Sequence, residues 1–131
     1  MRRLSLRSED GQAATEFALV LPILAALLLA IAQFGILFNN YITLTDATRI
    51  GARKAAISRF VGDSGAAAVT AVKAAATNLN SSDLQVTVTS PNWDVPGSDV
   101  TVTASYPYSV NILGWVVKSG TLTSTTKESL E

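Results

Sequence analysis

From residue 17 to residue 45 the chain carries no charged side chain. The densest part of this stretch, residues 17–38, is almost wholly apolar, with Gln33 as its strongly polar member and Phe17 and Phe38 at its ends. A helix of about 20 apolar residues crosses the hydrocarbon layer of a bilayer, so residues 17–38 are read as a transmembrane helix. The alternative, a helix buried in a soluble core, needs a domain large enough to surround it on every side. A chain of 131 residues, with one domain at most, is too small for that. Pro22 lies near the start of the run. It lacks a backbone donor and its ring crowds the carbonyl of Ala18, so a kink or locally loosened helix is expected around residues 18–22. Membrane helices tolerate such a residue.

Composition removes most catalytic chemistry. The chain has no histidine and no cysteine. The commonest general base, the commonest metal ligand, thiolate nucleophiles and disulfides are therefore absent. Lysine plus arginine balances aspartate plus glutamate at 10 each, which argues against a nucleic-acid binder driven by bulk positive charge. Only 15% of residues are charged, against about 25% in ordinary globular domains. No enzyme activity, cofactor or metal site is expected. Asp94 and Asp99 share a loop, but two carboxylates are too few for a calcium site.

Before the apolar run stands a short polar leader containing Arg2, Arg3 and Arg7, which ends at Gly11. Gln12, Ala13, Ala14, Thr15, Glu16 and Phe17 follow. Glu16 sits at the head of the apolar stretch, where an ionised carboxylate is costly unless paired. Glycine, then glutamate five residues on, then an aromatic and an apolar run resembles the class III signal of type IV pilins, cut by a membrane peptidase after the glycine. That resemblance implies a leader of residues 1–11, a mature N-terminus at Gln12, and pairing of Glu16 with the free amine of a neighbouring subunit. The plain alternative leaves Gly11 as the end of a flexible leader and Glu16 at headgroup level. A rival cut follows Ala30-Ile31-Ala32, a small-x-small pattern that would release a chain starting at Gln33. The acidic residues Glu9, Asp10 and Glu16 and the continuation of the run to Phe38 speak against it. Basic residues on the two sides, with Arg49, Arg53, Lys54 and Arg59 after the run, nearly balance, so charge does not fix orientation.

The helix is expected to continue to about residue 61, with Gly51 as its one breaker and Ile42, Ile50 and Ile57 at near-heptad spacing. Its basic face reads as solvated. Residues 62–65 form a turn in which Asp63 or Ser64 caps a second helix over residues 66–80. Val69, Val72, Ala76 and Leu79 give that helix a narrow apolar stripe. Gly62-Asp63-Ser64-Gly65 looks like the serine loop of chymotrypsin-like proteases, but without histidine that chemistry fails. The Asn80-Ser81-Ser82 sequon is discounted. Alternation then marks strands over residues 84–89 and 100–108, and a third over residues 121–131. The apolar segment 110–118, too short to span a bilayer, is expected as a loop or helical turn over the sheet, with membrane-surface contact as the sharper alternative. The expected fold is α+β: a long membrane-spanning N-terminal helix (residues 12–61) running into a small domain (residues 62–131) with a second helix and a three-stranded antiparallel sheet.

Three stretches together resemble the TadE-like family, minor pilins (pseudopilins) of tight-adherence, type IVc, pili. They are residues 11–22, residues 47–53 (Ala-Thr-Arg-Ile-Gly-Ala-Arg), and residues 100–108 (Val-Thr-Val-Thr-Ala-Ser-Tyr-Pro-Tyr). Ile50 departs from the family, which often has a charged or polar residue there. The resemblance implies cleavage by a prepilin peptidase and a role in pilus assembly and surface adhesion. It implies partnership with the major pilin, other minor pilins, the membrane platform and its ATPase, and membrane lipid. It also implies a cytoplasmic leader and an extracytoplasmic C-terminal domain. Two readings from other classes stand beside it: an uncleaved single-pass anchored binding domain, and a secreted enzyme released at Gln33.

Overall fold

The computed structural model describes residues 9–58, 64–90 and 92–131. Most of the expected leader, Asp63, Arg59 and Pro91 lie outside the described residues. The order of elements is α1 (Glu9–Ile57), α2 (Ser64–Ala75), β1 (Gln85–Thr89), β2 (Asp99–Ile112) and β3 (Trp115–Ser129). The three strands form one antiparallel sheet in the order β1-β2-β3. The α+β class is as the sequence indicates.

Helix α1 has 49 residues and a length of about 73 Å at the standard rise of about 1.5 Å per residue. It does two jobs in sequence. Its first half is an exposed apolar rod. Its second half supplies one wall of the domain core. Helical structure runs without a break through Pro22, and the donor that Pro22 lacks falls opposite the Ala18 carbonyl. The helix ends at Ile57, where the Ser58 amide donates to the Ala55 carbonyl at 3.3 Å in a tightened last turn.

The core face of α1 is made of small residues. Leu44, Ala47, Ala52, Ala55 and Ala56 are buried, as is Thr48. The Thr48 hydroxyl is satisfied by donating to the Leu44 carbonyl at 2.6 Å. Ile42, Ile50 and Ile57 point outward, each about half exposed. Bulky isoleucine outside and alanine inside is the reverse of a usual amphipathic helix, and it has a reason. Helix α2 crosses at Gly51, where an added Cβ would collide with Val72 Cγ2 and lie 3.3 Å from the Ala68 carbonyl. Only small side chains permit that approach. Gly51 is therefore not a helix breaker but the contact point of two helices.

Helix α2 stops at Ala75, five residues before the expected end. Ala76 and Leu79 remain buried, so the apolar stripe is real, but the backbone leaves the helix beneath it. Asn80 makes the turn that follows. Its side-chain oxygen accepts from the Ser82 amide at 3.2 Å and the Ser82 hydroxyl at 2.7 Å. Its amide nitrogen donates to Asp83 at 3.0 Å. Asparagine competes with helical hydrogen bonding in this way, and the local contacts account for the sequon residues as turn formers.

In β2, Val100, Val102 and Ala104 are fully buried against the helices, and Tyr106 packs on the same core. Period-two alternation thus puts Val102 and Tyr106 on one face, as expected. Strands β2 and β3 are longer than the sequence suggests. Residues 110–118 are neither a loop nor a helical turn: they form the closed end of a β-hairpin, with Ile112 paired to Trp115. Leu113 (φ 52°) and Gly114 (φ 87°) make the two-residue turn. Positive φ at both positions is the hairpin turn that matches strand twist, and it ordinarily selects Asn or Gly at the first position. Leucine there carries strain of about 1–2 kcal/mol. A register shift between Val110 and Asn111 places a bulge just below the turn.

Candidate functional site

The residues singled out at the N-terminus lie together on the first turns of α1. Gly11, Gln12, Glu16 and Phe17 are helical and exposed. The Gln12 side-chain amide donates to Glu16 Oε1 at 3.2 Å, one helical turn on. The Thr15 hydroxyl donates to the Gly11 carbonyl at 2.9 Å. The Glu16 carboxylate therefore already faces residue 12, the position whose amine a cut after Gly11 would free. Residue spacing of four on a helix produces this contact.

Beyond Glu16 the helix presents apolar side chains on all sides. Phe17 is 62% exposed, Ile23 71% and Phe38 65%, and none of the most apolar window is buried. A soluble core helix of that hydropathy would be covered; a continuous bare apolar surface of this size marks contact with lipid or with other apolar helices. Length, composition and exposure together are those of a membrane anchor. Pro22 is exposed on this rod, and Gln33 is half-buried.

Gln33 owes its partial burial to the sheet. Together with Ile36, Leu37 and Asn40 it lines a shallow cleft of about 190 Å³ whose other wall is residues 106–110 of β2. At the opposite end of the domain, the Glu131 amide donates to the Ala56 carbonyl at 3.4 Å. Strand β2 thus runs back along α1, from the level of Ala56 toward the apolar rod.

A second shallow cleft, about 270 Å³, is lined by Ser82, Asp83, Gln85, Ser105, Pro107 and Thr121. It contains neither a nucleophile paired with a base nor a cationic side chain. Of the loop carboxylates, Asp99 accepts an ion pair from Lys127 at 2.7 Å, and no group of three or more metal-ligating side chains occurs among the described residues. On the helix, Arg49 reaches Asp46 at 4.0 Å with both side chains mostly exposed, which is a solvated pair of little energetic weight.

Residues 11–53 match the family model described as TadE-like protein. The match takes in the glycine–glutamate–phenylalanine head, the whole apolar rod and the core-facing helix through Gly51. It includes residues 11–22 and 47–53; residues 100–108, on β2, lie beyond it. No curated protein and no solved structure matches the chain.

Proposed function

We propose that this chain is a TadE-like minor pilin (pseudopilin): a prepilin peptidase cuts it after Gly11, and it acts in assembling a tight-adherence pilus that holds cells to surfaces. The observation that carries this is the TadE-like match over residues 11–53 laid along one long helix whose exposed apolar stretch begins directly after the carboxylate Glu16. In this reading the leader is cytoplasmic, α1 is held in the cytoplasmic membrane as a single pass, and the α+β domain stands outside. The domain has no catalytic task. The partners are the peptidase, the major pilin and other minor pilins, the membrane platform and its ATPase.

The local chemistry supports the steps. Gly11 lies within α1, so the peptidase must unwind the first turn to reach the bond after it. Glycine disfavours helix by about 1 kcal/mol relative to alanine, which eases that local opening. After the cut, Gln12 carries a free amine one turn from Glu16. A carboxylate among apolar helices is retained when a cation neutralises it, and the amine of a neighbouring mature subunit is the cation the assembly supplies.

The test is the mature N-terminus, read by intact mass of the membrane-extracted protein. A chain starting at Gln12, lost in Gly11→Leu with build-up of the full-length form, is the expected result. A chain starting at Met1 identifies instead an uncleaved anchored domain, and one starting at Gln33 a secreted form; either overturns the proposal.

A further inference from the structure

We propose that the outward face of the second half of α1, where Ile42, Ile50 and Ile57 stand among Arg49, Arg53 and Lys54, is the docking surface for an acidic amphipathic helix of another protein anchored in the same membrane. This deepens the role in assembly proposed above and rests on the membrane-anchor reading of α1.

The face is apolar where the domain's own packing does not ask for it. Leu44, Ala47, Thr48, Ala52, Ala55 and Ala56 are the residues of this half that are buried. Ile50 and Ile57 are each 52% exposed and Ile42 45%. At 3.6 residues per turn the three isoleucines fall within a sector of about 80° on the side away from the buried residues. A helix facing only water there carries polar side chains. One exposed isoleucine needs no explanation, but a row of three that adjoins the apolar rod through Phe38 and Tyr41 marks a contact surface. From Ile42 to Ile57 the row is about 22 Å long, about four turns of helix.

Lipid does not reach it. Ile50 stands about 18 Å and Ile57 about 28 Å beyond Phe38, the outer end of the apolar run. Headgroups extend only about 5–8 Å past the hydrocarbon.

Charge defines the occupant. On the helical wheel Arg53 falls inside the isoleucine sector, and Arg49 and Lys54 fall on its two sides. Asp46 is the one carboxylate on the face, 4.0 Å from Arg49 with both side chains mostly exposed. Among the described residues no carboxylate is within ion-pair distance of Arg53 or Lys54. Whatever covers the isoleucines also covers Arg53, and a covered cation has to be paired. The guanidinium fork takes a carboxylate with two hydrogen bonds. The partner helix therefore carries an acidic residue within its apolar stripe and further acidic residues beside it. A second copy of this chain does not meet that need. Two chains anchored in one membrane hold their α1 helices parallel, which brings each set of three cations beside the other. Flanking charges of one sign select a different partner.

The test is photocrosslinking of the full-length chain in intact cells that naturally make it. p-Benzoylphenylalanine replaces Ile50 or Ile57 in separate variants, and Phe34 in a third that reports on the rod. Adducts are mapped by peptide mass spectrometry. At 50 and 57 the expected adduct lies on a helix of one other protein, with Asp or Glu within a turn of the attachment point. Arg49→Glu, Arg53→Glu and Lys54→Glu together should lower its yield about tenfold or more. Changing the mapped acidic residues of the partner to Lys should restore it, which a merely misfolded triple variant would not allow. Adducts to a second copy of this chain, adducts to lipid, or none at 50 and 57 while position 34 labels lipid or helices would overturn the docking proposal and leave the anchor standing. A yield untouched by the triple reversal, or lost without rescue, overturns it as well. No lipid or helix adduct at position 34 overturns the anchor and the proposal together.

Discussion

Gly51 offers a sharp test of how the two helices meet. Replacing it with alanine changes two quantities of opposite sign. Alanine is the better helix former by about 1 kcal/mol. Against that, the new Cβ runs into Val72 Cγ2, with the Ala68 carbonyl 3.3 Å behind it. Val72 is fully buried, and a β-branched side chain on a helix has little choice of rotamer. It cannot swing aside, so α2 has to move. Overpacking of this kind costs about 1–3 kcal/mol. Taking about 2 for the clash, Gly51→Ala is expected to destabilise the domain by about 1 kcal/mol. Removing the obstructing methyls reverses the sign. In a Val72→Ala background, itself destabilised by its cavity, Gly51→Ala is expected to stabilise by about 1 kcal/mol, giving a coupling of about 2 kcal/mol across the pair. The assay is urea unfolding of the full chain in detergent micelles, followed by Trp93 fluorescence in a Trp115→Phe background, since Trp93 packs against the core. Stabilisation by Gly51→Ala with Val72 intact, or a coupling near zero, would refute the claim that Gly51 is required by the helix crossing.

Leu113→Asn should raise domain stability by about 1 kcal/mol by relieving the positive-φ strain, seen as a higher urea midpoint; an unchanged or lower midpoint would contradict the turn assignment. Lys127→Ala should lower stability by no more than about 0.5 kcal/mol, because the Asp99 pair is half exposed or more on both sides; a loss several times larger would show that the pair is shielded. Glu16→Ala should leave cleavage intact and abolish piliation, since an amine left unpaired among apolar helices is destabilised by about 3–5 kcal/mol, and Glu16→Gln should behave alike. Mature N-terminus and surface adherence are the readouts, and normal piliation by both variants would refute charge pairing.

The sequence disclosed those features that rest on a period or a run. An uncharged stretch shows in the residues themselves, and the alternation Val100-Val102-Ala104-Tyr106 faces the core as an alternating strand should. It failed where a residue's role depends on a partner distant in sequence. Gly51 looks like a helix breaker until α2 is known to cross there. Ile42, Ile50 and Ile57 look like a seam, but the alanines between them pack inward because the crossing leaves space only for small side chains. Residues 110–118 carry strand-forming residues, yet Leu113 obscures the hairpin turn, since the usual Asn-Gly or Gly-x signal is absent. The polar residues around Asn80 stand where the chain turns, but an apolar stripe that continues to Leu79 hides where the helix ends.

These failures share one cause with the fold's main peculiarity. Helix α1 serves two solvents. Toward its start it is apolar all round, as lipid demands; toward its end it is small and apolar on one face, as a close helix crossing demands. A single-solvent rule applied to the whole helix misassigns one half. The sheet resolves the junction between them: β2 covers the core-facing residues near Ala56 and Leu44, then follows the same helix as far as Gln33, where the rod begins to be bare. Tyr106 is the last residue of β2 packed on the main cluster, and Val110 beyond it is still buried. The strand continues two residues past Val110 to Ile112, and the exposed side chains at the hairpin's end, Leu113, Trp115, Val116 and Val117, are apolar. The core beneath the sheet accounts for the strand as far as Val110, and only the last turn of the hairpin lies beyond it.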